Sequence, residues 1–82
     1  HLINSELVFI MDNEPRNASV CNYNQELIKM GHKVCIWPEN IEEKDLNDLA
    51  YRMSTRKIQK MIDANAVDGL EAKMKFREWK KV

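Results

Sequence analysis

The sequence predicts an α/β fold in which a βαβ unit with parallel strands is followed by C-terminal helices. Three observations lead to this class: an apolar run at residues 7–11, an amphipathic segment that ends at Gly31, and a second apolar run at residues 33–37. Strand, helix and strand in about 30 residues form a βαβ unit, whose two strands are parallel. The sequence after Pro38 has the periodicity of helices.

The two strands are predicted from a continuous apolar run, bounded by polar residues, and from a second segment in which four apolar residues follow Lys33 and Pro38 ends the strand. Residues 7–11 read LVFIM and residues 33–37 read KVCIW. The first run, which is short and does not alternate with polar residues, is typical of a strand buried on both faces of a parallel sheet.

The helix between the strands is predicted over about residues 17–30. Asn17 or Ser19 is suited to the N-cap, and Gly31 stands where a left-handed residue ends many helices. Four apolar residues recur with the spacing of one helix face, which is expected to point inward: Val20, Tyr23, Leu27 and Ile28.

Three further helices are predicted after the second strand. Asp45, with Asp48 three residues later, is expected to cap a short helix, and Ser54 or Thr55 starts the next. Asp68 and Glu71 form a second capping pair at the start of the last helix. The side chains expected to point inward are Leu46, Leu49, Ala50 and Met53, then Ile58, Met61 and Ile62, then Ala72, Phe76 and Trp79.

Composition limits the class of protein. Eighty-two residues suit one small domain, and no run approaches the roughly 18 apolar residues of a membrane span, so a cytoplasmic protein without membrane contact is expected. Cys21 and Cys35 lack the spacing of a zinc site or a disulfide framework, so no zinc is expected.

The net charge of the chain is zero, but the charges are unevenly distributed: residues 1–51 carry nine acids and four bases, and residues 52–82 carry nine bases and four acids. This asymmetry is compatible with nucleic-acid binding or with solvated helices of opposite sign.

Acidic residues follow both predicted strands. Asp12 and Glu14 come directly after the first strand, and residues 39–45 after the second contain four acids, the last of them Asp45. Because parallel strands end at the same edge of a sheet, these carboxylates are expected to lie at one edge. Hard oxygen ligands without His or Cys suit Mg²⁺ or Mn²⁺. The alternative is a polar turn after the first strand and a simple helix cap at Asp45.

Two segments resemble the Toprim fold of DnaG-type primases, topoisomerases and related nucleases. VFIMDNEPRN resembles the strand that ends in Asp-x-Asp, and WPENIEEKDLNDL resembles the segment that leads to Lys-Asp. Four sequence segments, DNEPRN, IWP, EKDLND and GLEAKMKFREWK, are most similar to the C-terminal part of the DNA primases of T-even-type bacteriophages. The resemblance implies that the chain is a single domain and a C-terminal fragment, with a partial Toprim core at 7–53 and a basic helical segment at 54–82.

The resemblance also implies roles for particular residues. Asp12, Glu14 and Asp45 match the catalytic and metal-binding acids, with Glu14 in place of the usual Asp. Asn47 stands where many members have a second Asp, so Asp48 is the candidate for a further, water-mediated metal contact. The family's earlier Glu is not matched, because Glu6 precedes its strand instead of following one, and it is expected upstream of this chain.

The implied activity is that of a primase, which makes short RNA primers on single-stranded DNA from ribonucleoside triphosphates by metal-dependent nucleotidyl transfer. The fragment alone is expected to be inactive, and a replicative ring helicase is the expected partner in the host cell cytoplasm. The alternative is a non-catalytic module that docks on such a helicase or binds single-stranded DNA. The basic side chains expected to contact nucleic acid, unless they only solvate helix faces, are Arg16, Arg52, Arg56, Lys57, Lys60, Lys73, Arg77 and Lys80.

Overall fold

The computed structural model describes residues 7–81 of the chain, so Glu6 and Val82 lie outside the described residues. The elements in chain order are β1 (Val8–Phe9), α1 (Ala18–Lys29), β2 (Lys33–Cys35), α2 (Leu46–Leu49), α3 (Thr55–Asn65), β3 (Ala66–Val67) and α4 (Gly69–Trp79). None of the helices in residues 7–81 combines the length and the hydropathy that a membrane span requires.

The three strands form one sheet in the order β1-β2-β3. β1 and β2 are parallel, with Phe9 opposite Val34, which confirms the predicted α/β class and its parallel strands. β3 is antiparallel to β2, with Val67 opposite Val34. The sequence did not predict β3, because two apolar residues between two helices carry no periodic signal and are ordered only by pairing with a distant strand.

The first strand is shorter and more exposed than predicted. β1 has two residues, both half-buried, and Leu7 is 70% exposed. Among the described residues β1 pairs with β2 alone, so one of its edges lacks a neighbour. The expectation of burial on both faces is therefore wrong for β1. In the central strand β2, by contrast, Val34 and Cys35 are both buried.

The predicted ends of α1 are confirmed. The Asn17 side chain accepts a hydrogen bond from the Val20 backbone N–H at 3.1 Å, and Gly31 follows the helix with a φ of 86°. A positive φ is unfavourable for residues with a Cβ atom, which explains glycine at this position.

The buried face of α1 is rotated from the predicted one. Cys21, Asn24 and Ile28 are buried, whereas Tyr23 is 64% exposed. The prediction counted Tyr23 as an inward apolar residue, but tyrosine also tolerates solvent at its ring edge and hydroxyl. Small and polar residues at 21 and 24 instead allow α1 to approach α4, against which it packs.

Two of the three predicted caps of the later helices form. The Asp45 carboxylate accepts from the Asp48 backbone N–H at 2.8 Å, and the Ser54 hydroxyl accepts from the Lys57 N–H. Asp68 precedes α4 in extended conformation but makes no side-chain cap hydrogen bond, so the capping pair with Glu71 is wrong.

The sheet separates two apolar clusters. One joins α1, α4 and one face of the sheet, and contains Cys21, Ile28, Val34, Ile36, Val67, Ala72 and Phe76. The other joins α2, α3 and the loop after β2 around Trp37, Ile41 and Leu49, with Ile58 and Met61 partly buried against it. Trp79 packs against both clusters, so the end of α4 connects the two layers.

Most side chains of the later helices that were predicted to point inward are buried or half-buried in these two clusters. Leu49, Ala72 and Phe76 are buried, but Ala50 is exposed because it follows α2 as its C-cap.

Candidate functional site

The two acid-bearing loops lie side by side. The backbone N–H of Asn13 donates to the carbonyl of Lys44 at 2.6 Å. Asp12 and Glu14 flank Asn13, and Asp45 follows Lys44. One backbone hydrogen bond thus joins the loop after β1 to the loop before α2, and the three predicted acids are carried by these adjoining loops.

The side chain of Asn13 holds the same two loops together. Its Nδ2 donates to the carbonyls of Ile41 at 2.9 Å and Glu43 at 3.0 Å. Its Oδ1 accepts from the indole Nε1 of Trp79 at 3.0 Å. Sequence reasoning missed this residue, because an Asn between two acids resembles ordinary turn polarity and its four partners are 28 to 66 positions away.

The indole of Trp37 also connects the segments that follow β1 and β2. Trp37, at 4% exposure, donates from its Nε1 to the carbonyl of Met11 at 2.8 Å. This bond joins the chain just after β2 to the chain just after β1. Together with Asn13, it fixes the position from which Asp12 leaves the sheet.

The acids themselves differ in their surroundings. Asp12 is exposed, and Glu14 is half-buried in a tight turn in which its N–H donates to the Asp12 carbonyl at 2.9 Å. One oxygen of Asp45 caps α2, which leaves the other oxygen for a ligand, and Asp48 is exposed.

In the part of the chain that the structure describes, the side chains that could coordinate a metal ion are few. Among residues 7–81, no three His, Cys, Asp or Glu side chains are grouped so that they could hold a metal ion. Mg²⁺ is commonly held by only one or two protein carboxylates, with waters and substrate phosphates completing its shell. Carboxylate oxygens on two adjoining loops fit that mode of binding, but not a cage made entirely by protein.

One acid near the loop has a different partner. Arg52 forms a two-pronged ion pair with Glu43, with Nε–Oε2 at 2.7 Å and Nη2–Oε1 at 2.9 Å. The hydrogen bonds from Arg52, helped by backbone hydrogen bonds, lower the pKa of Glu43 to about 2, and Glu43 in turn raises the pKa of Arg52. Glu43 is thereby engaged away from a metal ion. The guanidinium of Arg52, predicted to contact nucleic acid, is already paired.

Two depressions adjoin the acid-bearing loops. An open one of about 480 Å³ is lined by Glu14, Pro15, Arg16, Asn17 and Lys44. It combines a predicted acid with two cations, one just before α1 and one in the loop before α2. A larger cavity of about 650 Å³ lies between the loop after β2 and the end of α4, and includes Asn13, Trp37 and Trp79. Asp12, Glu14 and Asp45 do not line the larger cavity.

The predicted basic residues divide between two layers. Arg56, Lys57 and Lys60 are exposed on α3. Lys73, Arg77 and Lys80 lie on the opposite layer, where α4 forms a groove with α1.

Comparison with known proteins gives one informative similarity. No family model matches the chain. Over 78 residues, or 92% of this chain, it is 28% identical to the DNA primase of Enterobacteria phage T4. The chain spans about a quarter of that protein's length, 23%. The chain is therefore similar to a segment of a phage DNA primase.

Proposed function

We propose that this chain is part of the catalytic domain of a DNA primase with a partial Toprim-like core, and that its acidic loops serve metal-dependent nucleotidyl transfer. The observation that carries the proposal is the hydrogen bond between Asn13 and Lys44, because it joins the loop of Asp12 and Glu14 to that of Asp45. The similarity to a segment of a phage primase supports the same activity.

In this proposal Asp12, Glu14 and Asp45 would supply carboxylate oxygens to Mg²⁺ or Mn²⁺, and Asp48 would contribute through a water-mediated contact. The bound ion would activate a 3′-hydroxyl and neutralise charge on the transferring phosphoryl group. The protein contributes orientation: the side chain of Asn13 fixes both loops, and the Asp45 cap holds α2 at the end of the second loop.

The open depression beside Glu14 is suited to the ribonucleoside triphosphate. Arg16 and Lys44 line it together with Glu14, and the N-terminus of α1 begins there. Cations and helix N-termini favour phosphate groups. We assign the triphosphate of the incoming nucleotide to this depression, and single-stranded DNA as the template.

A second candidate function is a non-catalytic module that docks on a replicative helicase or binds single-stranded DNA. It is favoured by the missing three-ligand metal group in residues 7–81 and by the basic groove on the opposite layer. In that case the acidic loops serve only the fold.

Manganese titration distinguishes the two functions. Paramagnetic broadening of backbone amide NMR signals reports which residues approach the ion. We expect low manganese concentrations to broaden the signals of residues 12–14 and 44–46 first, and Asp12→Asn to reduce this effect. Asp68→Asn is the matched control: Asp68 is exposed, makes no cap hydrogen bond, and follows β3 at the opposite edge of the sheet.

Priming by the full-length protein supplies the functional test. Asp12→Asn should abolish primer synthesis from ribonucleoside triphosphates on single-stranded DNA, while Asp68→Asn should retain it. Retained priming by Asp12→Asn, with broadening that spares both loops, would establish the non-catalytic alternative. Primer synthesis by residues 1–82 alone would contradict the expectation that this segment is inactive without the rest of the domain.

A further inference from the structure

A groove of about 260 Å³ runs between α1 and α4 on the layer that the proposed metal site does not use. Two side chains of α1, Gln25 and Lys29, line one wall, and three cations on α4 or at its C-cap line the other. Lys29 and Gln25 were not predicted to bind nucleic acid, because they lie more than 40 positions from Lys73, the first of the α4 cations.

The groove is strongly cationic. Its lining contains four cations, Lys29, Lys73, Arg77 and Lys80, and no carboxylate. Lys29 has an acidic neighbour outside the lining, Glu26 at 3.6 Å, but both side chains are more than 60% exposed. Exposed pairs of this kind are weak, so Lys29 retains most of its attraction for another anion.

The floor of the groove is apolar and already covered. Ile28 is 4% and Phe76 is 7% exposed, and the ammonium of Lys80 lies over the Phe76 ring, 5.8 Å from its centroid. A ligand in the groove would therefore meet charges at the rim and find no open aromatic face on which to stack.

The cations are spaced along the groove. Lys73 and Lys80 are seven residues apart on or just after α4, which corresponds to about 10 Å along a helix axis. Consecutive phosphates on one strand of duplex DNA advance about 3.4 Å along the helix axis, and a single strand with stacked bases has a similar advance. A distance of about 10 Å thus corresponds to roughly three nucleotides.

We propose that the groove between α1 and α4 binds the phosphate backbone of a single-stranded nucleic acid without reading its bases. An acidic protein segment fits less well, because stable protein interfaces are centred on apolar and aromatic contacts, and the apolar residues here are buried within the fold. Duplex DNA fits less well because a space of about 260 Å³ between two packed helices is small beside a double helix, whose major groove alone is about 12 Å wide.

The groove also leads toward the acidic loops. The backbone N–H of Lys81, next to the groove residue Lys80, donates to the carbonyl of Pro15 at 2.8 Å. A strand that leaves the groove at Lys80 would emerge beside the loop of Asp12 and Glu14. The binding proposal does not depend on catalysis at that loop and can be tested without it.

Two lysines on α4 provide a matched test. Lys73 lines the groove, whereas Lys75, which is also exposed and lies two residues further along the same helix, lines the cavity on the other side of α4. Lys73→Gln and Lys75→Gln remove the same charge from the same helix. Binding is measured by fluorescence anisotropy with a labelled oligothymidylate of about 12 nucleotides, within the size range of single-strand sites.

The expected effects follow from counterion release. The plot of log K against log salt has a negative slope, and each lost phosphate contact should make that slope shallower by about 0.7. At roughly 0.1 M salt, the same loss should weaken binding about fivefold. We expect the dissociation constant for the oligonucleotide to rise about fivefold in Lys73→Gln and about 25-fold in the double variant with Arg77→Gln. In Lys75→Gln it should rise less than twofold. Circular dichroism and thermal unfolding verify that each variant is folded.

The proposal would be overturned if the folded chain showed no measurable binding, or if Lys73→Gln and Lys75→Gln lost affinity equally. Tighter binding of a duplex of the same length, or displacement of the oligonucleotide by polyaspartate at equal charge concentration, would also overturn it. A loss of affinity seen only in Lys57→Gln or Lys60→Gln would likewise overturn the proposal, because the binding surface would then be on α3. Equal affinity for oligothymidylate and oligoadenylate would support recognition of the backbone and not of the bases.

Discussion

Replacement of Asn13 by alanine should destabilise the protein more than a typical substitution of a half-buried polar residue. Alanine removes three side-chain hydrogen bonds: those to the carbonyls of Ile41 and Glu43, and the one from the Trp79 indole. At about 1 kcal/mol for each bond, the expected loss in the free energy of unfolding is about 2–3 kcal/mol. Asn13→Asp should cost at least as much at neutral pH, because its carboxylate would face the two carbonyl oxygens.

Urea unfolding followed by circular dichroism measures this loss, with Asn65→Ala as the control. Asn65 is also half-buried, but its side chain makes one hydrogen bond, to the Met61 carbonyl at 2.8 Å, so we expect about 1 kcal/mol. The backbone bond from Asn13 to Lys44 remains in every variant, so the difference isolates the side chain.

A double-mutant cycle tests the bond to Trp79 separately. Trp79→Phe removes the indole donor and keeps an aromatic ring, so the double variant with Asn13→Ala should lose about 1 kcal/mol less than the sum of the two single variants. Additive losses, together with an Asn13→Ala cost no greater than that of Asn65→Ala, would refute the view that Asn13 connects the two loops to α4.

Two further predictions concern the second apolar cluster and the ion pair. Leu49 has no exposed surface, so Leu49→Ala should cost about 2–5 kcal/mol in urea unfolding, whereas Tyr51→Ala, at 93% exposure, should change stability by less than about 0.5 kcal/mol. Arg52 holds the pKa of Glu43 at about 2, below its ordinary 4.5, so the pair stabilises the fold above about pH 4.5 and this contribution is lost as pH falls through about 2. NMR titration should show the pKa of Glu43 return toward 4.5 in Arg52→Gln, and an unchanged value would contradict the assigned cause.

The features that the sequence predicted correctly depend on local chemistry. Asn17, Asp45 and Ser54 accept hydrogen bonds from backbone N–H groups three residues later, so a cap is decided within one helical turn. Gly31 with its positive φ is equally local. The parallel strand pair followed from the order of apolar runs, because the short connection through α1 leaves few topologies open.

The features that the sequence could not predict depend on distant partners. β3 exists because Ala66 and Val67 pair with β2, about 30 positions earlier. The inward face of α1 is decided by its contact with α4, which favours Cys21 over Tyr23. In the same way, the amide of Asn13 was visible in the sequence, but its role was not, since Trp79 is 66 positions away.

The neutrality of Asn13 is itself compatible with an acidic site. Asp12 and Glu14 flank it, so a third carboxylate at this position would add repulsion where a loop must turn tightly. An amide supplies two donors and one acceptor without charge, and all three are used. The loop is therefore held in place by a neutral side chain that points into the fold, while the charged neighbours on either side remain available to a cation. A purely structural turn would need the amide but would have no need for both carboxylates, so the flanking acids, and not Asn13, are where the proposed catalytic role must be tested.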